Sequence, residues 1–128
     1  MKSCFDMTGG FYVMTSSFSD PVFKESFKKF FDVDENGELR MGFLANVKCL
    51  TTFNDFKVSG AIGQCAPIKP QGNHAQFVSG TEVGVGGVNN WYIGGIDNSK
   101  TLAIYFDITS QQNLKGNKKV HVQLQTTY

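Results

Sequence analysis

The chain has 128 residues, 41% hydrophobic and 18% charged, with 12 basic and 11 acidic side chains and a formal charge of +1. That is one domain's worth of chain with enough apolar content for a core, which excludes a disordered segment. The charge balance, with Arg40 the one arginine, gives no general pull toward nucleic acid, because phosphate recognition favours the arginine fork.

In chain order, "GGFYVMT" (9–15) is a short apolar run after a glycine pair and reads as a buried strand. In "SFSDPVFKESFKKFFDVD", Asp20 suits a helix N-cap and Pro21 the first helical position. Phe23, Phe27, Phe30 and Phe31 recur at helical spacing, with Lys24, Lys28 and Lys29 on the outer side. The spacing predicts a helix from Asp20 to about Asp32 with one aromatic face. After "DENGE" the period changes and only short β-like runs follow. "NVKCLT" and "FKVSGAI" are two of them. "TLAIYFDI" (101–108) is the clearest, with Leu102, Ile104, Phe106 and Ile108 on one face and Tyr105 and Asp107 on the other. "KVHVQLQT" (119–126) repeats the scheme, with Val120, Val122 and Leu124 inward and His121, Gln123 and Gln125 outward. The breaks carry turn chemistry, and "PIKPQGNHAQFVSG" is the longest irregular stretch. The chain therefore divides near residue 34 into a strand and helix, then roughly six or seven antiparallel strands in a sandwich or small barrel.

Several chemical motifs are imitated without being completed. In "DVDENGELRMGF" (32–43), Asp32, Asp34 and Asn36 sit at calcium-loop offsets with Gly37 next, but Phe43 stands where the bidentate glutamate belongs. A tight hairpin turn at Asn36-Gly37 is the better reading. In "TEVGVGGVNNWYIGGID" (81–97), Gly84 and Gly86 begin a dinucleotide-loop pattern, yet Asn89 takes the third slot and no helix pattern follows. Glycine here marks a bend or a place where another segment lies close, beside the single tryptophan, Trp91. Gly94 and Gly95 are then expected to end that strand. His74 and His121 have no triad partners at recognisable spacing. Cys4, Cys49 and Cys65 are an odd number without a C-x-x-C pair, which argues against a disulfide framework or a complete zinc site and for a reducing, cytosolic setting. No apolar run approaches the ~20 residues of a membrane span, and "MKSCFDMTGG" is too short in apolar residues for a signal peptide. The opening reads as a start placed inside a longer chain. "KGNKK" (115–119) is a small basic cluster, and Lys115, Lys118 and Lys119 are the candidate partner- or membrane-facing residues. No catalytic, cofactor-binding or metal-ligating set emerges, and no cofactor is expected.

"TGGFYVM", "SFSDPVFKESFKKFF", "FKVSGAIGQCAP", "VGVGGVNNWYIGGID" and "TLAIYFDITSQ", in that order, resemble the GTPase-activating subunit of the COPII inner coat, the Sec-twenty-three family. The resemblance runs from about Thr8 to Tyr128 and rests on order and spacing, not on a catalytic signature. It implies a fragment: residues 1–34 as the closing strand and helix of a von Willebrand A-like trunk, and 35–128 as the β-sandwich, or β-barrel, domain. It implies a mainly β, non-enzymatic piece of a protein that activates the coat's small GTPase in ER-to-Golgi transport. The activating arginine and the zinc site of the family belong to other domains, so Arg40 and the three cysteines inherit neither role. The implied partners of the parent are the small GTPase, the cargo-selecting subunit and the outer coat. The implied place is the cytoplasm, peripheral to the endoplasmic reticulum membrane and coat vesicles. The loop "SQQNLKGNKK" is shorter than usual for the family. The family's sandwich also takes strands from the start of the full protein, which implies one open sheet edge here, and self-association of the fragment through that edge or through its helix is an expectation.

Two other readings share this pattern. One is the cargo-selecting subunit of the same coat, which has the same architecture. The other is a carbohydrate- or ligand-binding sandwich with Trp91, Tyr92 and Tyr105 as a stacking platform. In any of them the four helix phenylalanines represent roughly 6–12 kcal/mol of burial, comparable with the ~5–15 kcal/mol net stability of a domain. The expectation is that this face packs on the sandwich or on a second copy of the chain.

Overall fold

The computed structural model describes residues 2–52, 55–69, 75–110 and 119–128. A short helix, α1 (Lys2–Thr8), opens the chain and was not legible as a helix in the sequence. The expected strand at 9–15 is absent: the segment is irregular, with Tyr12 and Met14 exposed. A strand exists only as part of a ladder of bonds to a neighbour, and among the described residues this segment joins a strand backbone by one bond, from Gly95 N–H to Gly9 C=O. Helix α2 (Pro21–Lys29) starts where expected, with Asp20 Oδ1 accepting from the Val22 N–H at 2.8 Å. It stops about one turn before Asp32, at the C-cap Phe30.

The turn after it is a hairpin loop of a different kind from the one expected. Val33 and Leu39 form an isolated antiparallel bridge. Gly37 N–H donates to Asp34 C=O at 3.1 Å, and Asp34 N–H donates to Glu38 C=O at 2.8 Å. Gly37, at φ +82°, is in the left-handed region and Asn36 is not, so this is a three-residue loop with one glycine in the special position. The Asp34 carboxylate accepts from the backbone N–H groups of Asn36 and Glu38 at 2.8 and 3.0 Å. These bonds, the one from Glu38 foremost, hold the carboxyl below its ordinary range.

The remainder is mainly β, as the alternation implies. The strands are β1 (Gly42–Thr51), β2 (Phe56–Gly63), β3 (Ala66–Pro67), β4 (Val85–Gly86), β5 (Asn90–Ile96), β6 (Leu102–Ile108) and β7 (Val122–Thr127). They form two sheets, ordered β3-β5-β1-β7 and β4-β2-β6, with every strand pair antiparallel. The sheets face each other as a sandwich and do not close into a barrel. Ala45, Cys49, Trp91 and Ile93 from one sheet meet Val58 and Ala61 from the other, with Cys65 and Val88 completing the buried cluster. Leu102, Ile104 and Phe106 of β6 pack against it, the face their period indicated, whereas Ile108, expected on the same face, is 47% exposed at the end of the strand.

Two expectations about strands are corrected. Gly94 and Gly95 lie inside β5 rather than ending it. The ladder is irregular there: Ala45 pairs with Gly94, and the β1–β5 register shifts on both sides of that pair, next to Leu44 at φ +57°. Val122 and Leu124 of β7 do not face a closed core, being 44% and 58% exposed. Their cross-strand partners Thr51 and Cys49 are buried, so the residues point to the core side. The three-stranded sheet stops short of covering them.

Candidate interaction surface

Of the three lysines singled out in the sequence, Lys115 and Lys118 lie outside the described residues. Lys119 is exposed just before β7. His74 is also outside the described residues. His121 is exposed, and its N–H donates to Thr52 Oγ1 at 3.3 Å. Among the described residues no group of three or more His, Cys, Asp or Glu converges to hold a metal ion. In the imitation calcium loop, Asp34 Oδ1 already accepts the two turn N–H groups. No helix among the described residues is long and apolar enough to cross a membrane.

What the molecule presents is an aromatic ridge. Along α2, Phe23 stacks near Phe27 (centroids 5.8 Å), and Phe27 meets Phe31 edge-on (5.3 Å). Phe18 extends the row from before the helix, 5.1 Å from Phe23. Phe30 continues it to Phe11 at 4.8 Å. No residue of α2 is buried, and Phe18, Phe27 and Phe31 remain 82%, 50% and 63% exposed. The expectation that this face packs on the sandwich is thus corrected: the rings cluster with each other and keep much of their surface in water. Nonpolar rings held side by side in water are the usual character of a contact surface.

The ridge is tied to the sandwich through the segment before it. Gly9 lies on β5 so closely that a Cβ there would stand 2.2 Å from Ile93 O and 2.3 Å from Gly94 Cα. Gly95 N–H donates to Gly9 C=O at 3.2 Å. The Gln64 side-chain amide donates to Phe5 C=O at 3.1 Å and to Gly10 C=O. Its oxygen accepts from the Lys100 ammonium, which sits 4.8 Å over the Phe11 ring. Burial pulls the Lys100 pKa down, and Asp97 and Asp6 oppose that pull. This clasp was invisible in the sequence, since Gln64 and Phe5 carry no signal that brings them together.

The glycine run has the role of close approach. A Cβ on Gly84 would lie 2.4 Å from Ala61 O, and one on Gly86 would lie 2.8 Å from Ser59 O. Both are protein backbone, so β4 presses on β2 and leaves no cradle for a phosphate at those faces. Trp91 is fully buried, and its indole N–H donates to Val85 C=O at 2.9 Å. Nearby, Asn89 bonds Cys49 twice, through its side-chain amide to Cys49 C=O and through its carbonyl from Cys49 N–H. A buried tryptophan cannot stack on a sugar, so the platform of Trp91, Tyr92 and Tyr105 does not exist as a surface. No family model matches the chain.

The cysteines give a direct check on this layering. Cys4 is exposed, whereas Cys49 and Cys65 are buried, and all three are free thiols. Burial pushes the Cys49 thiol up to about 11 and raises that of Cys65, with Asp6 adding to the latter. With Ellman's reagent at pH 8, Cys4 should react at once and the other two only as the sandwich opens. Because a raised thiol pKa stabilises the fold below the ordinary thiol range, stability should fall as pH climbs from that range toward about 11. Three thiols reacting together would contradict the burial of Cys49 and Cys65.

Proposed function

We propose that the chain is a non-catalytic β-sandwich domain of a COPII coat subunit, the GTPase-activating one, acting as a structural link. The observation that carries this reading is where the family-like segments fall. "SFSDPVFKESFKKFF" is α2 with its approach, "FKVSGAIG" is β2, "VGVGGVNNWYIGG" spans β4 and most of β5, and "TLAIYFDI" contains β6. These are the segments that build the sandwich and the ridge, so the resemblance resides in scaffold residues rather than in a reactive site. A mainly β body preceded by a helix with an uncovered aromatic face suits a domain that continues into a larger trunk. In this reading the parent protein works with the coat's small GTPase, the cargo-selecting subunit and the outer coat, in the cytoplasm at the endoplasmic reticulum membrane. The activating arginine and the zinc site belong to other parts of the parent.

The test is a chimera. Residues 35–128 replace the matching sandwich in a GTPase-activating coat subunit, and GTP hydrolysis by the cognate small GTPase is measured with and without the cargo-selecting subunit. Retained stimulation and pairing are expected, while this chain alone should give no stimulation. A folded chimera that has lost pairing, or clear stimulation by the isolated chain, would overturn the reading.

A further inference from the structure

The outer edge of the four-stranded sheet is β7, and among the described residues no strand pairs with its far side. Thr52 N–H donates to His121 C=O at 3.2 Å, and the β1–β7 register continues without a shift. Bonded and non-bonded pairs alternate along an antiparallel ladder. Gln123 and Gln125 therefore bond toward β1, and Val122, Leu124 and Thr126 turn their N–H and C=O groups outward.

Natural sheets protect such an edge with charge, proline, a bulge or brevity. The strand "VQLQTT" has no charge and no proline, and its register is regular. The other edges differ. The far edge of the same sheet, β3, is two residues long and includes Pro67. The long edge strand of the second sheet, β6, carries Asp107, bonded to Ser79 Oγ at 2.6 Å.

We propose that β7 pairs with β7 of a second copy of this chain, antiparallel across a two-fold axis at Leu124. The pairing is self-complementary. Leu124 faces the partner's Leu124, and Val122 faces the partner's Thr126, each with outward N–H and C=O groups to exchange. On the opposite face Gln123 lies beside the partner's Gln125, amide against amide. A charge at the axis would face its own twin, and this strand carries none. The overhanging Val122 and Leu124 of both copies become one apolar strip on the core side. Growth ends at two copies, because the β3 edge is too short and too proline-bound to add a strand. This inference is about the chain of 128 residues and rests on its edge strand, not on the coat reading.

The test is the mass of the full chain by light scattering across a concentration series. Twice the 14.1 kDa of one chain is expected at high concentration. Leu124→Lys, at an exposed position, should return the mass to that of one chain with an unchanged circular dichroism spectrum. In a Cys4→Ser background, Leu124→Cys should oxidise to a covalent dimer, because bonded antiparallel pairs stand ~5.5 Å apart at Cα, within disulfide reach. A wild-type chain that stays single at every concentration would overturn the proposal. So would a dimer that survives Leu124→Lys and disappears with Phe27→Ser, which would place the contact on the ridge. So would the absence of the cross-link in a folded Leu124→Cys variant.

Discussion

Replacing Trp91 by alanine is expected to cost about 3–5 kcal/mol, the range for removing a large buried aromatic side chain. Two losses combine. The side chain is fully buried within the cluster shared by both sheets, so its removal leaves a cavity that neighbouring strands can only partly fill. It also strips the donor from Val85 C=O, which the indole N–H reaches at 2.9 Å. Trp91→Phe separates these effects. It keeps most of the apolar volume and loses the donor, for an expected cost of about 1–3 kcal/mol. Urea unfolding followed by far-ultraviolet circular dichroism measures both, since fluorescence is lost with the tryptophan. A Trp91→Ala midpoint equal to that of the unaltered chain would mean that this residue does not hold the sheets together.

Gly60→Ala is the second large effect. Gly60 is buried in β2 at φ +148°, a conformation that strains any side chain. An added Cβ would stand 2.1 Å from Val83 O and 2.8 Å from Gly86 Cα. Both are backbone, so β2 and β4 must separate. Overpacking of about 1–3 kcal/mol and backbone strain of similar size give a combined loss of roughly 2–6 kcal/mol. Gly80→Ala is the internal control: nothing lies within 4 Å of its added Cβ, and its φ is not in the left-handed region. Its unfolding midpoint should stay put or rise slightly, as reduced freedom of the unfolded chain favours folding. Equal effects at the two glycines would refute the close approach of β4 to β2.

The fold class was legible because β6 alternates cleanly and because Asp20-Pro21 announces a helix start; these are local signals. Trp91 beside a glycine run also pointed correctly to closely approaching segments. What escaped depended on distant partners. The 9–15 run has the apolar content of a strand, yet only a neighbouring strand could make it one. Leu124 alternates as an inward residue should, and it does point to the core side, but periodicity cannot say whether a second layer reaches that far. Gln64 looks like any loop amide and ties two carbonyls of the opening segment to the sandwich. The ridge was readable as a helix face, while its lack of cover was not, since burial belongs to the tertiary structure. The basic cluster gives an outcome for Lys119 alone, which is exposed.

Taken together, a two-layer body is locked around one indole, and an aromatic helix lies outside it. Amide and indole hydrogen exchange, read residue by residue by NMR, tests that arrangement most directly. The Trp91 indole N–H should exchange with the slowest backbone amides of β1, β2 and β5, all opening as one cooperative unit. The amides of α2, a helix with no buried residue, should exchange far sooner. An indole proton that exchanges as fast as an exposed loop amide, or an α2 as protected as β5, would contradict the account.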